Sequence, residues 1–280
     1  MSTEKVWFVT GASQGLGLTL IKQLLSSGYR VAATSRDACA LNKAVGLIDK
    51  ERFLSLAVDL TSTESIQQAV EETMASFGRI DVVVNNAGYG MAGTVEETTE
   101  KKIRDIVEVN LLATVNVTKA ILPAMRQQRS GYFINISSVA GFAGAPGWAV
   151  YSATKAAVTA FSEVMALDAK ELGIKVTIVE PSGFRTGFLS KDSLAFTESR
   201  ISDYQLVRKT QERYLATGGQ QAGDPERAAA IFIELAEHPE PPLHLFLGAD
   251  AYSRANDKIR ALAAELEQWK TLTLSADFPQ

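Results

Sequence analysis

Short apolar runs alternate along the chain with longer segments in which apolar residues recur every three or four positions. The runs have the length of buried strands, and the segments have the periodicity of helices that are apolar on one face. The clearest such segments are Ser62–Phe77, Thr99–Gln128 and Trp148–Leu172. Seven runs are predicted as strands, namely Val6–Val9, Arg30–Thr34, Phe53–Ala57, Asp81–Val84, Tyr132–Ile136, Lys175–Val179 and Leu243–Phe246.

The regular alternation of strands and helices predicts the architecture. Parallel strands need a crossover connection, usually a helix, and such helices cover both faces of the sheet. We therefore predict an α/β protein with one Rossmann-type, doubly wound parallel sheet of about seven strands and helices on both faces. A length of 280 residues suits a single domain that runs from residue 1 to residue 280.

Two segments depart from this alternation. Residues 181–224 form a long connection with one helical patch at about Ser199–Leu215. Long connections in compact domains are usually functional, and ligands of α/β sheets bind beyond the carboxyl ends of the strands. We therefore interpret this connection as a lid over the substrate. Residues 251–270 predict a last helix, which packs on the body or on a neighbouring subunit through a stripe of Ile259, Leu262, Leu266 and Trp269.

Composition limits the partners and the compartment. The net charge is −4 and no run of like charges occurs, so we expect neither nucleic acid nor a membrane as a partner. No apolar run is expected to span a bilayer, and the first strand begins too early to leave room for a signal peptide. Cys39 is the only cysteine, expected to be an inert thiol, and the isolated His238 and His244 predict no metal site. We expect a cytoplasmic protein.

The first strand runs into a glycine-rich turn. Thr10 precedes Gly11, Gly15 and Gly17, and leucines at helical spacing follow. A strand, a glycine turn and a helix in this order are typical of dinucleotide sites. Glycines let a diphosphate come close to the backbone, and the N–H groups at the start of the helix then face it.

Tyr151 and Lys155 are four residues apart in a predicted helix, so the phenol and the ammonium group share one face. A nearby cation favours the phenolate and lowers the tyrosine pKa from about 10. Such a tyrosine can exchange a proton with a substrate oxygen at physiological pH. Taken alone, the pair has a simpler interpretation, which is a packed tyrosine beside a solvated lysine.

The end of the second strand bears on the choice of cofactor. An NAD site normally has a carboxylate there, which accepts hydrogen bonds from the ribose. This chain has Ser35 and Arg36 instead. An arginine can bind a 2′-phosphate through two hydrogen bonds, so NADP is favoured and NAD is less expected. A shift of one residue in the turn would present Asp37 to the ribose instead.

Further motifs follow in a fixed order. Asn85-Asn86-Ala87-Gly88 follows the fourth strand, and Pro181-Ser182-Gly183 follows the sixth. Ser137-Ser138 follows the fifth strand, and Ser138 lies 13 residues before Tyr151. With the G-x-x-x-G-x-G turn, these motifs resemble the short-chain dehydrogenase/reductase family over about residues 5–247. The likeness extends loosely to its 17β-hydroxysteroid and retinol dehydrogenases. Several ordered motifs are far more specific than any one of them.

The resemblance implies an NADP-dependent oxidoreductase that transfers a hydride between NADPH and a carbonyl or alcohol. Tyr151 is then the general acid and base, Ser138 holds the substrate oxygen with Ser137 as a rival, and Asn110 holds a water that connects Lys155 to solvent. The implied cofactor-binding residues are Gly11, Ser13, Gln14, Gly15, Leu16, Gly17, Ser35, Arg36, Asp59, Leu60, Asn86, Ala87, Gly88, Tyr151, Lys155, Pro181, Gly183 and Thr186.

Some of these residues have a second interpretation. Asp59, which resembles the family's acidic residue near the adenine, could instead cap the helix that begins near Ser62, and Thr186 could be a helix cap. The family usually has Pro-Gly where this chain has Pro-Ser-Gly, so the register after Pro181 stays open. The alternative function is a non-catalytic NADP-binding regulatory or scaffold protein on the same fold.

The substrate and the assembly are predicted more coarsely. A pocket with aromatic walls would take a fairly apolar carbonyl or alcohol. The two longest predicted helices offer apolar area beyond the needs of one sheet face, and the family resemblance adds a homodimer or homotetramer. The candidate pocket walls are Tyr89, Phe142, Trp148, Phe184, Phe188, Leu189 and Tyr204.

Overall fold

The structure, a computed structural model, describes residues 5–46, 51–190, 193–198 and 201–278. Its strands are β1 Val6–Val9, β2 Arg30–Ser35, β3 Phe53–Ala57, β4 Val82–Asn85, β5 Gly90–Ala92, β6 Gly131–Ile136, β7 Ile174–Pro181, β8 Leu194–Phe196 and β9 His244–Leu247. Its α-helices are α1 Gly15–Ser26, α2 Ala38–Val45, α3 Thr63–Phe77, α4 Glu100–Val107, α5 Ala113–Gln128, α6 Val139–Phe142, α7 Ala149–Ala169, α8 Gln205–Ala216, α9 Pro225–Glu237, α10 Ala249–Gln268 and α11 Lys270–Leu274.

Seven of these strands form one sheet in the order β3-β2-β1-β4-β6-β7-β9, and every neighbouring pair is parallel. The predicted doubly wound α/β fold with seven parallel strands is therefore confirmed. The chain order reverses between β1 and β4, because β2 and β3 extend the sheet to one side and β6, β7 and β9 extend it to the other. A crevice opens at such a reversal, beyond the carboxyl ends of the strands.

The central strands are apolar throughout because helices cover both faces of the sheet. Along β1, Trp7 and Val9 contribute to a core shared with α1 and α9, whereas Val6 and Phe8 contribute to a core shared with α3, α5 and α7. All four side chains are at most 1% exposed. This double burial fixes the register of β1, and with it the position at which the glycine turn leaves the sheet.

The described part of residues 181–224, which the sequence predicts as a lid, contains more regular structure than expected. Its strand β8 pairs in parallel with β5, which lies outside this segment, and neither strand was predicted. Runs of three residues are too short to show a period, so the pattern of the chain carried no signal for them. Helix α8 begins at Gln205, later than the predicted patch. Ser199 and Arg200, at the start of that patch, lie outside the described residues.

The segment predicted as one helix, Thr99–Gln128, is divided by a π-helical turn at Glu108–Leu112 between α4 and α5. By length and composition alone, Glu100–Gln128 is apolar enough to cross a membrane, so the expectation that no run would reach this threshold was wrong. A core helix meets the same criterion, and this one packs Val117 and Ile121 into the core beneath the sheet.

His244, to which the sequence assigned no role, ties the edge strand β9 to helix α7. Its Nδ1 lies 3.2 Å from Glu180 Oε2, and its Nε2 lies 3.2 Å from Glu163 Oε1. The Glu180 side chain is fully buried, and burial raises the pKa of its carboxyl group. We interpret the imidazole as a structural partner for this carboxyl group. Within the described ranges, no group of three or more His, Cys, Asp or Glu could hold a metal ion.

Candidate active site

A cavity of about 790 Å³ lies at the reversal of strand order, between the carboxyl ends of the strands and the lid. The turns after β1, β2, β4 and β6 line one side of it, and residues between Pro181 and Gln221 line the other. Of the site residues predicted from the sequence, all but Gly17 and Asn110 line this cavity. Residues far apart in the chain are therefore brought to one place, in the arrangement that the motifs predicted.

The glycine turn after β1 is shaped by close approach to the end of β4. Gly11 has φ +64°, and a Cβ on it would lie 2.7 Å from the Cα of Ala87. A Cβ on Gly17 would lie 2.6 Å from the Asn86 side-chain nitrogen. That same nitrogen donates to the carbonyl oxygens of Thr10 and Gly11, at 3.0 Å each. Only glycine fits at these two positions, and the resulting cradle at the start of α1 suits a diphosphate.

The end of β2 presents Arg36 rather than Asp37 to the cavity. The Asp37 carboxylate caps α2 and accepts from the Ala40 backbone N–H at 3.0 Å. This use resolves the open alternative against Asp37, because its carboxylate is already engaged at the helix start. Ser35 lines the cavity beside Arg36, and its Oγ accepts from the Asp37 backbone N–H at 3.2 Å. The guanidinium group can therefore meet a phosphate there without a competing carboxylate in the same turn.

Asp59, after β3, also borders the cavity. Its carboxylate accepts from the backbone N–H and the hydroxyl group of Thr61, at 2.9 and 2.7 Å. These bonds, and to a smaller degree the charge of Arg36, lower the pKa of Asp59 below its usual value. The helix cap is Ser62, whose hydroxyl oxygen accepts from Ser65 N. The alternative of Asp59 as the cap was therefore wrong, and its carboxylate stays at the cavity.

Tyr151 lies on α7 at the cavity wall and is 6% exposed. Burial raises the pKa of Tyr151 to about 12, while the hydrogen bond with Ser138 acts in the opposite direction. The Lys155 ammonium group lies 6.0 Å from the centre of the phenol ring and donates to the Ile136 carbonyl oxygen at 2.8 Å. The predicted lowering of the tyrosine pKa by Lys155 is therefore not found in this structure, because burial has the larger effect.

Lys155 is itself affected by its surroundings. Its side chain is 5% exposed, and burial lowers the pKa of Lys155 to about 8. The ammonium form loses hydration in the interior, and the one carbonyl that accepts from it replaces only part of that hydration. The amine therefore still carries a proton near neutral pH but releases it more readily than an ordinary lysine, which suits it to proton movement.

The two neighbouring serines after β6 have different partners. The Ser137 hydroxyl donates to the Lys155 carbonyl oxygen at 2.8 Å and lies 2.9 Å from the Thr159 hydroxyl. Ser137 therefore fastens the strand end to α7 and is not free for a substrate. Ser138 is hydrogen-bonded to Tyr151 and accepts from Ala140 N at 3.1 Å. Of the two serines, Ser138 is the one whose hydroxyl group lies with the phenol at the cavity.

Asn110 occupies the π-helical turn behind the site. Its side chain accepts from Tyr89 N at 3.0 Å and donates to Tyr89 O at 2.9 Å. A Cβ on Gly88 would lie 3.1 Å from Asn110 Oδ1 and 3.4 Å from Lys155 Nζ. Both side chains therefore lie close to Gly88. π turns inside helices occur often at functional sites. The arrangement places Asn110 next to Lys155, as the resemblance implied.

On the lid side, Thr186 and Gly183 both face the cavity. The Thr186 hydroxyl caps a short 3₁₀ turn at Gly187–Leu189 and accepts from Phe188 N at 3.3 Å. The side chain also lies over the glycine turn, since a Cβ on Gly15 would be 3.6 Å from its Cβ. The capping alternative for Thr186 is therefore correct, and the position beside the cofactor cradle is correct as well.

Five of the seven predicted pocket walls line the cavity, and two do not. Phe142 packs edge-on against Phe246, with ring centres 5.2 Å apart. Tyr204 donates from its hydroxyl group to Glu96 at 2.9 Å on the surface of the lid. Both predictions were wrong because the sequence shows that an aromatic side chain is near a motif but not the direction in which it points.

Several lining residues carried no signal in the sequence. Tyr214 on α8 packs edge-on against Trp148, with ring centres 5.1 Å apart. Arg254 on α10 donates to the Ala143 carbonyl oxygen and lies 3.5 Å from Asp250. These residues reach the cavity only because the lid and α10 fold back over it. The residues missed in this way are Thr217, Gln221, Tyr214, Asp250 and Arg254.

Comparison with known proteins assigns the chain to the same family that its sequence motifs resemble. The model of the family described as short chain dehydrogenase matches residues 5–195. Oxidoreductase BOA17 of Botryotinia fuckeliana is 38% identical over 97% of this chain and 99% of its own. The 3-ketodihydrosphingosine reductase of Bacteroides thetaiotaomicron is 34% identical over 87% of this chain and 88% of its own. The crystal structure of a short-chain dehydrogenase from Streptomyces avermitilis is 37% identical, covers 98% of this chain and 100% of its own, and has a TM-score of 0.89.

The chain belongs to the short-chain dehydrogenase family. It is an NAD(P)-dependent oxidoreductase that acts on CH–OH groups and the corresponding carbonyls, with a small-molecule substrate. Relatives bind either NADP or NADH, so membership alone leaves the choice of cofactor open. The relatives named above are not steroid or retinol dehydrogenases, and the looser likeness to those enzymes gains no support from them.

Proposed function

We propose that this protein is an NADPH-dependent reductase of apolar ketones or aldehydes, which also oxidises the corresponding alcohols, and that it works in the cytoplasm. One observation carries the proposal. The hydroxyl groups of Tyr151 and Ser138 meet at the wall of a cavity that also contains the glycine cradle and Arg36. A proton donor, a site for the carbonyl oxygen and a site for a charged dinucleotide therefore share one space.

The preference for NADP rests on the turn after β2. Arg36 faces the cavity and Asp37 is committed to capping α2, so the turn offers a cation and no free carboxylate to the ribose. A 2′-phosphate would accept charge-assisted hydrogen bonds from the guanidinium group. The Ser35 hydroxyl, which still has its own proton to donate, lies beside it.

The preference for an apolar substrate rests on the lid side of the cavity. Trp148, Tyr214, Phe188 and Leu189 line the cavity near Tyr151. Apolar and aromatic walls gain most from a ligand that brings apolar surface with it. A 3-keto lipid, which is the substrate that the name of the Bacteroides relative states, has this character. Steroids and retinoids also have it, so they belong in the test.

The reaction divides between the cofactor and the chain. NADPH would supply the hydride, and the glycine cradle, Arg36 and Thr186 would hold it. Ser138 would hold the substrate oxygen, and Tyr151 would donate its proton to that oxygen as the carbonyl is reduced. Lys155 would then return a proton to the phenolate, because an amine with a pKa of about 8 carries a proton near neutral pH. Asn110 would keep this lysine connected to solvent.

The test is a screen for NADPH oxidation with 3-keto lipids, steroids, retinal, aromatic aldehydes and small polar ketones, each repeated with NADH. We expect turnover with at least one apolar carbonyl and a lower kcat/KM with NADH. The matched control is Tyr151→Phe, which should show no comparable turnover. Turnover restricted to polar substrates, or equal use of NADH, would contradict the substrate or the cofactor part of the proposal.

The proposal includes a homodimer or homotetramer. Apolar side chains are exposed in the π-helical turn and on α7, namely Leu112 at 37%, Val164 at 57% and Leu167 at 73%. A second copy that covers this surface would remove it from water and form a closed, symmetric pair. A mass of one chain by light scattering at micromolar concentration would contradict this part.

A further inference from the structure

Helix α10 begins on the body of the protein and ends away from it. Ala251 and Ala255 are at most 3% exposed, and the main contacts of the helix are with α6 and β9. From Asp257 to Phe278 every residue is exposed. A helix of 20 residues is about 30 Å long, so more than half of α10 extends beyond the body. Isolated helices of this length are marginal in water, and a bare extension needs a partner to remain helical.

The face that α10 buries continues as an apolar stripe along the extension. Ala255, Leu262 and Trp269 are seven residues apart, and so are Ile259 and Leu266 between them. This is the spacing of a helix that packs along another helix. The exposed fractions are 53% for Ile259, 44% for Leu262, 69% for Leu266 and 56% for Trp269. Nothing in the described part of the chain covers these four side chains.

Some charged residues beside the stripe form ion pairs within the chain, and others do not. Three ion pairs form within α10 and its continuation, at Asp250–Arg254, Asp257–Arg260 and Glu267–Lys270. Of the other charged residues of α10 and α11, Lys258 and Glu265, neither has an ion-pair partner among the described residues. They are seven residues apart and therefore lie on the same side of the helix, along one edge of the stripe.

We propose that the stripe of α10 binds the same stripe of a second copy of this chain, with the two helices antiparallel. In this orientation a two-fold axis places Lys258 of one protomer opposite Glu265 of the other, and the reverse pair forms at the same time. The same register brings Ile259 of one protomer against Leu262 of the other, and the reverse pair forms with it. Both unpaired charges and the central apolar residues Ile259 and Leu262 thus find partners in one symmetric contact.

The alternatives fit less well. In a parallel pair, Lys258 would face Ala263 and stay unpaired, and the two bodies would meet at the same end of the helices. A membrane surface would accept an amphipathic helix, but such helices are usually rich in Lys and Arg. The charged residues of α10 and α11 are four basic and four acidic, so the segment has no net charge. A second copy of the chain is the partner that would cover the apolar stripe and also pair both charges.

The experiment compares two matched double variants by light scattering at micromolar concentration. Leu262→Glu/Leu266→Glu places two carboxylates on the stripe, and Ala264→Glu/Gln268→Glu places two at the same spacing on the opposite face. All four positions are exposed, so neither variant should disturb the fold, which circular dichroism would verify. We expect the stripe variant to have half the mass of the wild type, and the control to keep the full mass. An unchanged mass of the stripe variant, or a wild type of 30.2 kDa, would overturn the proposal.

A charge exchange tests the orientation. Lys258→Glu and Glu265→Lys should each weaken the contact about threefold to thirtyfold, since two pairs are lost per dimer, and the double exchange should restore it. Failure of the double exchange to restore association would overturn the antiparallel arrangement. Binding of the wild type to zwitterionic lipid vesicles, with no change of mass in the stripe variant, would assign the stripe to a membrane instead.

This contact is independent of the surface around Leu167 on α7. If both contacts form, the wild type is a tetramer and the stripe variant a dimer. If only the α10 contact forms, the masses are those of a dimer and a monomer. The halving of the mass is the common result, and catalysis does not enter the test. Failure here would therefore leave the proposed reaction untouched.

Discussion

The two sides of the cavity are held in place in different ways. The sheet side consists of turns that leave buried strands, and the Asn86 side chain bonds it to the carbonyl oxygens of Thr10 and Gly11. The lid side, residues 181–224, contacts the rest of the protein through the short β5–β8 pair, a Gln14–Ser193 hydrogen bond of 2.8 Å and the Arg208–Glu97 ion pair. The first is fixed by the core, whereas the second depends on a few separate contacts.

This difference matches the division of work that we propose. Groups that move a proton or hold a diphosphate must keep their geometry within narrow limits, and rigid elements provide it. Residues that select a substrate can lie on a segment of lower local stability, which opens and closes or changes between relatives. The comparison predicts that substitutions on the sheet side affect chemistry and cofactor affinity, and that substitutions on the lid affect substrate affinity.

The largest effect is expected for Tyr151→Phe. The ring and its packing against Trp148 remain, but the transferable proton is lost, so kcat should fall by about 10²–10⁴. NADPH affinity, measured by fluorescence, should not change. Tyr204→Phe is the matched control, because its hydroxyl group bonds Glu96 on the lid surface and should affect kcat little. Turnover of the Tyr151→Phe variant at the wild-type rate would show that another group supplies the proton.

Gly11→Ala should lower the NADPH affinity by at least about tenfold. Gly11 has φ +64°, and a Cβ there would meet the Ala87 backbone at 2.7 Å, so the cradle must shift. Gly78→Ala is the control that shows the effect of backbone strain without a clash. Gly78 has φ +75°, and nothing lies within 4 Å of its Cβ position. The control should lose about 1–2 kcal/mol of stability and keep its affinity. Equal losses of affinity in both variants would contradict the prediction.

Arg36→Ala should weaken NADPH binding by about 1.5–3 kcal/mol, the contribution of a hydrogen bond to a charged group, and should weaken NADH binding much less. Titration of both cofactors by fluorescence measures the two dissociation constants. NADH is the internal control, since it differs from NADPH only at the 2′-phosphate. If both cofactors lose affinity equally, Arg36 does not bind the 2′-phosphate.

On the lid, Arg208→Gln should speed hydrogen exchange across α8 about tenfold or more and raise KM with little change in kcat. The Glu97 carboxylate is 3% exposed, and both of its oxygens lie 2.5 Å from the Arg208 guanidinium group. Loss of the cation removes charge-assisted bonds of about 1.5–3 kcal/mol. Lys209→Gln, one residue along on the exposed side, should change neither quantity. A fall in kcat as large as that of Tyr151→Phe would mean that the lid also takes part in the chemistry.

The smallest expected effect concerns the titration of Tyr151 without cofactor. Because burial raises the pKa of Tyr151 to about 12, the phenol should stay protonated through the neutral and weakly alkaline range. Ultraviolet difference spectra of the wild type against Tyr151→Phe should therefore show no tyrosinate signal below about pH 10. A signal near neutral pH would support the lowered pKa that the Tyr151–Lys155 spacing predicts.

The sequence was sufficient to predict those parts of the site that follow from patterns among neighbouring residues. Strand, glycine turn and helix around Gly11 follow from the local pattern. All seven strands of the main sheet begin within one residue of their predicted starts, and β1 and β3 agree with the prediction at both ends. Arg36 was placed correctly, although only the structure showed that Asp37 caps α2 and is therefore not its competitor.

The sequence was insufficient wherever direction or distance decided the outcome. Phe142 and Tyr204 are aromatic and near motifs, yet they point away from the cavity. Tyr214 and Arg254 reach the cavity only because separate segments fold back over it. The spacing of Tyr151 and Lys155 was correct, but the burial that raises the tyrosine pKa is a property of the packed interior.

The division has a physical reason. Apolar period, glycine position and motif order act on neighbouring residues, so the sequence alone determined the sheet, the cofactor cradle and the family. The course of the lid, the free end of α10 and the charge states of Tyr151 and Lys155 depend on burial and on contacts between distant segments. Desolvation and tertiary contact are set by the whole fold, and only the tertiary structure decided them.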